Sequence, residues 1–504
     1  KADRVIAASG FPPDSHNGKS LLNVIETFPR DELFQIPVDQ LETWALEILD
    51  LDLRPRVRVF PRIDEFDRFV TALVYVPRDR FSTDVRVRIA QLLAEAYQGT
   101  LASFTPHFME GTLVRIHLVI SRNEGPTPRP DRAMLEDKVR AIVQSWQDRF
   151  AQMVRSGPAG GAAALVAKYG NAFSAAYREA FGPERALQDI GRIESLSDAN
   201  PVAIDFYADD SGKPGRLRVA LYRLGESIPL SDRVPGLENL GFRVIDERSY
   251  ALNPTIGGTS RDVRLHDMVL ETRDGGPITL GDDDLRLESA FIAVWNGEAD
   301  NDGYNRLILA SGLDWQHAEI MRAFGAYLRQ IRVPFGLGYV AQTLTTHAGV
   351  TKLLIELFAC RFDPKRQGSV EDRSKDAAGL KARIEEALGS IPSLDEDRIL
   401  RHVLNLIQAT LRTSFYRRDA SGNRLPALAF KLRSHEVDSL PEPRPFAEIW
   451  VYAPRVEGVH LRFAPIARGG IRWSDRAQDF RTEVLGLVKA QQVKNAVIVP
   501  QGAK

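Results

Sequence analysis

Cysteine is almost missing from this chain: one residue, Cys360, in 504. A single thiol can build neither an internal disulfide framework nor a multi-cysteine metal site, and this usage fits a reducing cytoplasm. Metal-type histidine spacing is missing as well. The nine histidines are scattered, with no H-x-x-x-H or H-E-x-x-H pair, so no metal site is expected. No apolar run approaches the roughly 18 residues that a membrane span needs, and Lys1-Ala2-Asp3-Arg4 opens no signal peptide. An excess of one charge sign is also lacking. Lys and Arg number 66 against 67 Asp and Glu, a net charge of −1, so no global field recruits nucleic acid or an anionic membrane, and any anion site must be local. What is present is 44% hydrophobic and 26% charged residues, enough for about three or four soluble globular domains.

Patterning divides the chain into alternating blocks. From Arg56, RVRVFPRIDEFDRFVTALVYVPRDRF carries strand signal, STDVRVRIAQLLAEAYQG reads as an amphipathic helix closed by Gly99, and LVRIHLVISR is a further strand. A Pro-rich hinge, GPTPRPDR, follows, then a helical pattern from Asp131 to about Ser195, interrupted at SGPAGG. A second β-rich block holds VAIDFYADD, RLRVALYRL, GFRVIDERSY and VRLHDMVLET, with LSDRVPGLENLG as its helix. The two blocks share a strand, helix, strand order without an obvious sequence period. Residues 282–416 read as several helices, AEIMRAFGAYLRQI and DRILRHVLNLIQATLRTSF being the clearest, and FAEIWVYAP returns to strand.

Two short motifs imitate functional sites. Gly336-Leu-Gly338-Tyr-Val-Ala341 fits G-x-G-x-x-A, with Glu356 twenty residues after Gly336, but a dinucleotide fingerprint needs a buried strand before it and here a helix pattern precedes. A loop between two helices is expected instead. SHNGKS, with Ser15, His16 and Lys19, has no acid partner and no strand-turn-helix elbow, so it is read as the capped start of a helix near Asn17 or Gly18.

The C-terminal stretch RFAPIARGGIRWSDRAQDFRTEVLGLVKAQQVKNAVIVPQGAK behaves differently. Residues 477–495 have helical spacing, Phe480, Val484, Leu487 and Val488 forming an apolar stripe that Gln491 and Lys494 continue. AVIVP then reads as a short buried strand, and Gly502 and Ala503 leave room for close approach beside Lys504. Arg468-Gly-Gly-Ile-Arg472 adds two cations on a glycine turn. These cations either form a pocket for a ligand with more than one negative charge or pair with Asp475, Asp479 and Glu483.

That stretch resembles the glutamate-binding segment of glutamate dehydrogenases, specifically the large NAD-dependent bacterial type, and the likeness extends through SHNGKSLLNVIETFPRDELFQIP and FAEIWVYAPRVEGVHLR to essentially the whole chain. The resemblance implies an α+β fold: ACT-like (ferredoxin-like) modules at 45–125 and 200–275, helical segments at 1–44, 126–199 and 276–418, and from 419 to 504 the first part of an α/β glutamate dehydrogenase catalytic domain. It implies a longer polypeptide of which this is an interior fragment, its NAD-binding Rossmann domain lying beyond Lys504. By the same resemblance Lys494 holds the substrate α-carboxylate with Gln491 as its neighbouring amide, Arg468 stands where smaller family members use lysine to grip the side-chain carboxylate, and Lys504 is the catalytic lysine. Arginine offers a fork where lysine offers a point charge, so the partner of that carboxylate differs in geometry. The implied reaction is oxidative deamination of L-glutamate to 2-oxoglutarate and ammonium, in a cytoplasmic homo-oligomer with an amino-acid effector at the ACT-like modules. An amino-acid-sensing regulatory protein built from the same modules is the alternative.

Overall fold

The computed structural model describes residues 1–494 and 502–503, apart from 110, 123–124, 158–160, 257–258, 279 and 466–467. The chain divides into two compact units, Lys1–Gly170 with Gly182–Glu184, and Asn171–Phe181 with Arg185–Lys504.

The first unit opens with α1 (Ala2–Ala8), α2 (His16–Glu26), α3 (Arg30–Gln35) and α4 (Val38–Leu53). Ser15 caps α2, its hydroxyl accepting from the Gly18 amide at 3.1 Å; SHNGKS is thus a capped helix start, beginning at His16 rather than near Asn17 or Gly18. A side chain at Gly18 would collide with the Pro12 carbonyl, so that glycine is sterically required. The module proper comprises β1 (Arg58–Ile63), β2 (Phe69–Pro77), α5 (Thr83–Ala96), β3 (Gly99–Phe108), β4 (Leu113–Arg122) and α6 (Arg132–Val143). Its sheet is antiparallel in the order β1-β2-β4-β3.

Alternate side chains of this sheet feed two cores. Val59, Val70, Val74, Ile116 and Leu118 pack with Ile89 and Leu93 of α5 and Leu135 and Val139 of α6. Phe60, Leu73 and Tyr75 pack on the opposite face with Leu21, Leu41, Trp44 and Ile48. Burial on both faces explains why β2 reads as a continuous apolar run rather than an alternation. Between α3 and the second face, Arg62 forks onto Glu32 at 2.7 and 2.9 Å, both buried. Burial pushes the Glu32 carboxyl up, but the hydrogen bonds from Arg62 and His117 and the guanidinium charge outweigh it and hold the group at about 2.

Gly99 corrects a sequence reading. The helix α5 ends at Ala96, Gln98 takes the left-handed conformation (φ 50°), and Gly99 begins β3, where a Cβ would strike the Ser121 carbonyl of β4. The β3 strand is missed by periodicity because nearly all its residues are exposed at the sheet edge. The opposite edge, β1, is protected: Glu136 of α6 accepts from the Val59 amide at 3.2 Å and from Arg58 at 2.6 Å. The unit continues with α7 (Trp146–Ser156) and α8 (Ala162–Tyr169).

The second unit begins near α9 (Ala175–Ala180) and α10 (Pro183–Glu194), followed by β5 (Val202–Ala208), β6 (Arg216–Leu224), α11 (Leu230–Asn239), β7 (Phe242–Leu252), the small ribbon β8 (Thr255–Ile256) and β9 (Thr259–Ser260), β10 (Val263–Thr272) and α12 (Asp282–Trp295). The sheet order, β5-β6-β10-β7, repeats the connectivity of the first module. In both, a β-β-α-β-β-α chain gives the β-α-β-β-α-β ferredoxin-like arrangement with its start moved by one strand and one helix. The edge device recurs too: Glu288 of α12 accepts a backbone hydrogen bond from Phe206 of β5. In each module this closing helix lies past the last strand, beyond residues 125 and 275 respectively. The outer face of this second sheet carries a polar network, in which buried Asp189 of α10 meets Arg185 and Tyr222, each at 2.7 Å.

Helices α13 (Arg306–Ser311), α14 (Trp315–Gln330), α15 (Leu337–Thr346), α16 (Ala348–Phe362), α17 (Val370–Leu388) and α18 (Leu394–Ala409) follow. The fingerprint-like Gly336 caps α15, and Gly338 to Ala341 lie in its first turns rather than in a loop; the preceding element is α14, a helix and not a strand. The α18 pattern stops at Ala409, and Thr410–Thr413 leaves it as strand β11, pairing with β12 (Leu428–Leu432). Then come β13 (Ala447–Ala453), β14 (Val456–Arg462), β15 (Arg468–Gly469), α19 (Phe480–Lys494) and β16 (Gly502–Ala503), in a sheet ordered β11-β12-β13-β14-β16-β15. Among the described residues no helix is long and apolar enough to cross a membrane, and no group of three or more His, Cys, Asp or Glu could hold a metal ion.

Candidate functional site at the end of the mixed sheet

Of the predicted site residues, Arg468, Gln491 and Lys494 fall on adjoining elements. Strand β15 runs parallel to β16, pairing Arg468 with Gly502 and Gly469 with Ala503, while Arg462 of β14 pairs with Ala503 from the other side. Helix α19, which packs on β14 and β16, carries Gln491 and Lys494 three residues apart in its last turn. The structure describes only the backbone at Arg468, Gln491 and Lys494, and Lys504 and the AVIVP segment lie outside the described residues.

Helix α19 is fixed by apolar contacts and by charge. Val484, Leu485 and Val488 bury against Leu461 of β14, and Phe480 stacks on Trp450 of β13 with ring centroids 6.0 Å apart and 12° between planes. Leu485 takes the central place in the buried stripe; Leu487 is half-buried. Sequence reading missed the deepest contact. Arg481 is 1% exposed and Glu448 of β13 is 0% exposed, joined by two parallel bonds of 2.7 Å. A lone acid inside the apolar run of FAEIWVYAP was the signal that could have found it. The Arg481 amide also donates to the Gln330 side-chain oxygen at 3.2 Å, and Gln330 Nε2 donates to the Ala477 carbonyl at 2.8 Å.

The cations between β15 and α19 are largely taken by local acids. Arg472 binds Glu483 at 2.9 Å, where Ser474 also donates, and Arg476 pairs with Asp479.

Gly469 to Asp475 form one wall of a cleft of about 1000 Å³, faced by Asp300, Asp302 and Arg322 and by the β13–β14 hairpin from Tyr452 to His460. Arg322 of α14, nearly fully buried, holds Asp302 through two nitrogens at 2.8 and 2.7 Å. Burial raises the Glu457 carboxyl although Arg329 sits 2.8 Å from both its oxygens. Burial likewise raises the Tyr452 phenol, which donates to Asp300, and lowers His460, an effect to which Arg462 adds. Most charges in this cleft are therefore already compensated. Ile471 and Trp473, by contrast, stand 103% and 80% exposed at its rim.

Strand pairing among the described residues is antiparallel except for β15 with β16, whose parallel contact is bridged in sequence by α19.

Two ferredoxin-like modules and intervening helices lead into a mixed sheet with a glycine-turn cation strand, a multidomain architecture. Family models match the chain in series: glutamate dehydrogenase helical motif 1 over residues 1–54, ACT2 domain over 58–147, helical motif 2 over 152–196, ACT3 domain over 201–283 and helical motif 3 over 299–364, then the catalytic domain of bacterial NAD-glutamate dehydrogenase over 383–504. The NAD-specific glutamate dehydrogenase of Halomonas elongata is 42% identical over 508 residues, covering 100% of this chain, and that of Pseudomonas aeruginosa is 42% identical over 506 residues, again 100% of the chain. The Mycobacterium tuberculosis protein of the same name is 37% identical over 509 residues, 97% of the chain. The chain belongs to the bacterial NAD-glutamate dehydrogenase family. It spans 31% of the length of each of these relatives.

Proposed function

We propose that this chain is the part of an NAD-dependent L-glutamate dehydrogenase that grips substrate and receives regulatory signals. The observation that carries the reading is the convergence of β15, β16 and α19 at one end of the mixed sheet, which gathers the elements bearing Arg468, Gln491 and Lys494, with Lys504 next after β16 in the sequence. On this reading Lys494 and Gln491 hold the α-carboxylate of glutamate, Arg468 holds the side-chain carboxylate, and Lys504 moves the proton as carbinolamine and iminium species interconvert with 2-oxoglutarate and ammonium. NAD supplies the hydride chemistry from a region after Lys504. Placing two carboxylates on fixed cations is the protein's own contribution. The two modules are read as the binding place of an amino-acid effector, acting through different affinity for two arrangements, in a cytoplasmic homo-oligomer.

The test uses the full-length protein. Purified, it is expected to reduce NAD in a glutamate-dependent way, whereas residues 1–504 alone neither oxidise glutamate nor bind NAD. Saturable micromolar NAD binding by residues 1–504, or no glutamate-dependent NAD reduction by the full-length protein, overturns the reading.

A further inference from the structure

The buried pair Glu448–Arg481 stands at the opposite end of α19 from the substrate-gripping turn. Arg481 is the second residue of the helix, and Lys494 lies 13 residues further on. At 1.5 Å rise per residue that is roughly 20 Å, so a tilt of about 5° at the Arg481 end displaces the last turn by nearly 2 Å. Misplacement on the scale of about 1 Å is enough to weaken a carboxylate grip severely. The angle of this helix therefore needs fixing, and its apolar contact with β14 is small, centred on Leu461, Val484, Leu485 and Val488.

The polar contacts at Arg481 are directional where the apolar ones are not. The two parallel 2.7 Å bonds to Glu448 fix the guanidinium plane against β13. The Gln330 side chain meets both the Arg481 amide, one of the first-turn donors without an acceptor inside the helix, and the Ala477 carbonyl. Helix α14 thereby clamps the start of α19, and the indole of Trp450, which stacks on Phe480, donates to the Ala323 carbonyl of the same α14 at 2.9 Å. A fully buried ion pair contributes little net stability compared with a well-packed apolar pair, so its value here is geometric.

We propose that Arg481, Glu448 and Gln330 are positioning residues for glutamate: they set the angle of α19 and hence the place of Gln491 and Lys494. This rests on the reading of α19 as the carrier of the α-carboxylate grip. It also makes α14, which belongs to the preceding helical segment, a mechanical reference for the substrate site.

Glutamate oxidation by the full-length protein provides the test. The double variant Glu448→Leu with Arg481→Met keeps an apolar, filled core, and Arg481→Lys keeps charge without the fork. Gln330→Met removes the amide contacts alone and guards against a double variant that fails to fold. The expected result is a KM for glutamate raised about tenfold in the first two variants and about threefold in Gln330→Met, with kcat changed less than about threefold and KM for NAD unchanged, the signature of lost uniform binding. A merely structural role would lower the active fraction and leave KM alone. Lys494→Met is measured in parallel. If it raises KM while Arg481→Lys and Gln330→Met bind glutamate like the parent, the positioning role is overturned and the site reading stands. If Lys494→Met leaves KM unchanged, the site reading falls and the proposal with it.

Discussion

The phenol oxygen of Tyr304 occupies the space beside Gly325 that any side chain on that residue would need. Gly325 lies in the middle of α14, where glycine otherwise weakens a helix; close approach of Tyr304 explains its presence. Gly325→Ala is therefore expected to destabilise the protein by about 1–3 kcal/mol through overpacking. The Tyr304 hydroxyl is buried with no hydrogen-bond partner among the described residues, so Tyr304→Phe should cost little and should relieve part of the Gly325→Ala penalty. Denaturant midpoints for the two single variants and the double variant measure the coupling, with an unchanged slope as the control.

Acid should loosen the first module through Glu32. Its carboxyl is lowered from 4.5 to about 2 in the folded state. Between those values the unfolded chain binds more protons, so the contribution is complete above about pH 4.5 and is lost as pH falls toward 2; its size is on the order of 3 kcal/mol. Hydrogen exchange of β1 and β2 amides across this window should show falling protection, and Glu32→Gln should flatten that dependence while lowering stability at neutral pH. A parent-like slope in the variant would assign the acid response elsewhere.

Arg468→Ala in the full-length protein should raise KM for glutamate more than it lowers kcat. A grip on the distal carboxylate, away from the reacting carbon, is mostly felt equally in ground and transition states. Equal losses in kcat and kcat/KM would mean that Arg468 acts on the transition state instead.

Lys504→Met should cut kcat by at least about a hundredfold, the scale of a lost general base, with the fold retained. Steady-state kinetics over a pH range checks it: near-parent turnover with an unchanged pH profile would move the catalytic role to Lys494.

Elements whose side chains face a core could be read from the sequence. VTALVYV and LVRIHLVI announce β2 and β4 because both their faces are buried, and Ser15 announces α2 because capping is local chemistry. Strand β3 could not be read, since an edge strand with exposed side chains has no hydrophobic period. The same limit applied to Arg481. In sequence it looks like Arg472 and Arg476, which pair within their own neighbourhood; what separates it is a partner 33 residues away on β13, a contact that only the folded sheet creates.

In the first module the shifted start has a mechanical consequence. The chain comes in on β1, at one border of the sheet, and departs through α6, whose Glu136 is bonded to that same strand. Both joints of the module therefore meet at one corner, as in a cassette that can be spliced in or lifted out without unpicking any other strand pairing. The far border, β3, lies away from both joints, and among the described residues it pairs only with β4, leaving its outer edge as the place where a strand from elsewhere could add.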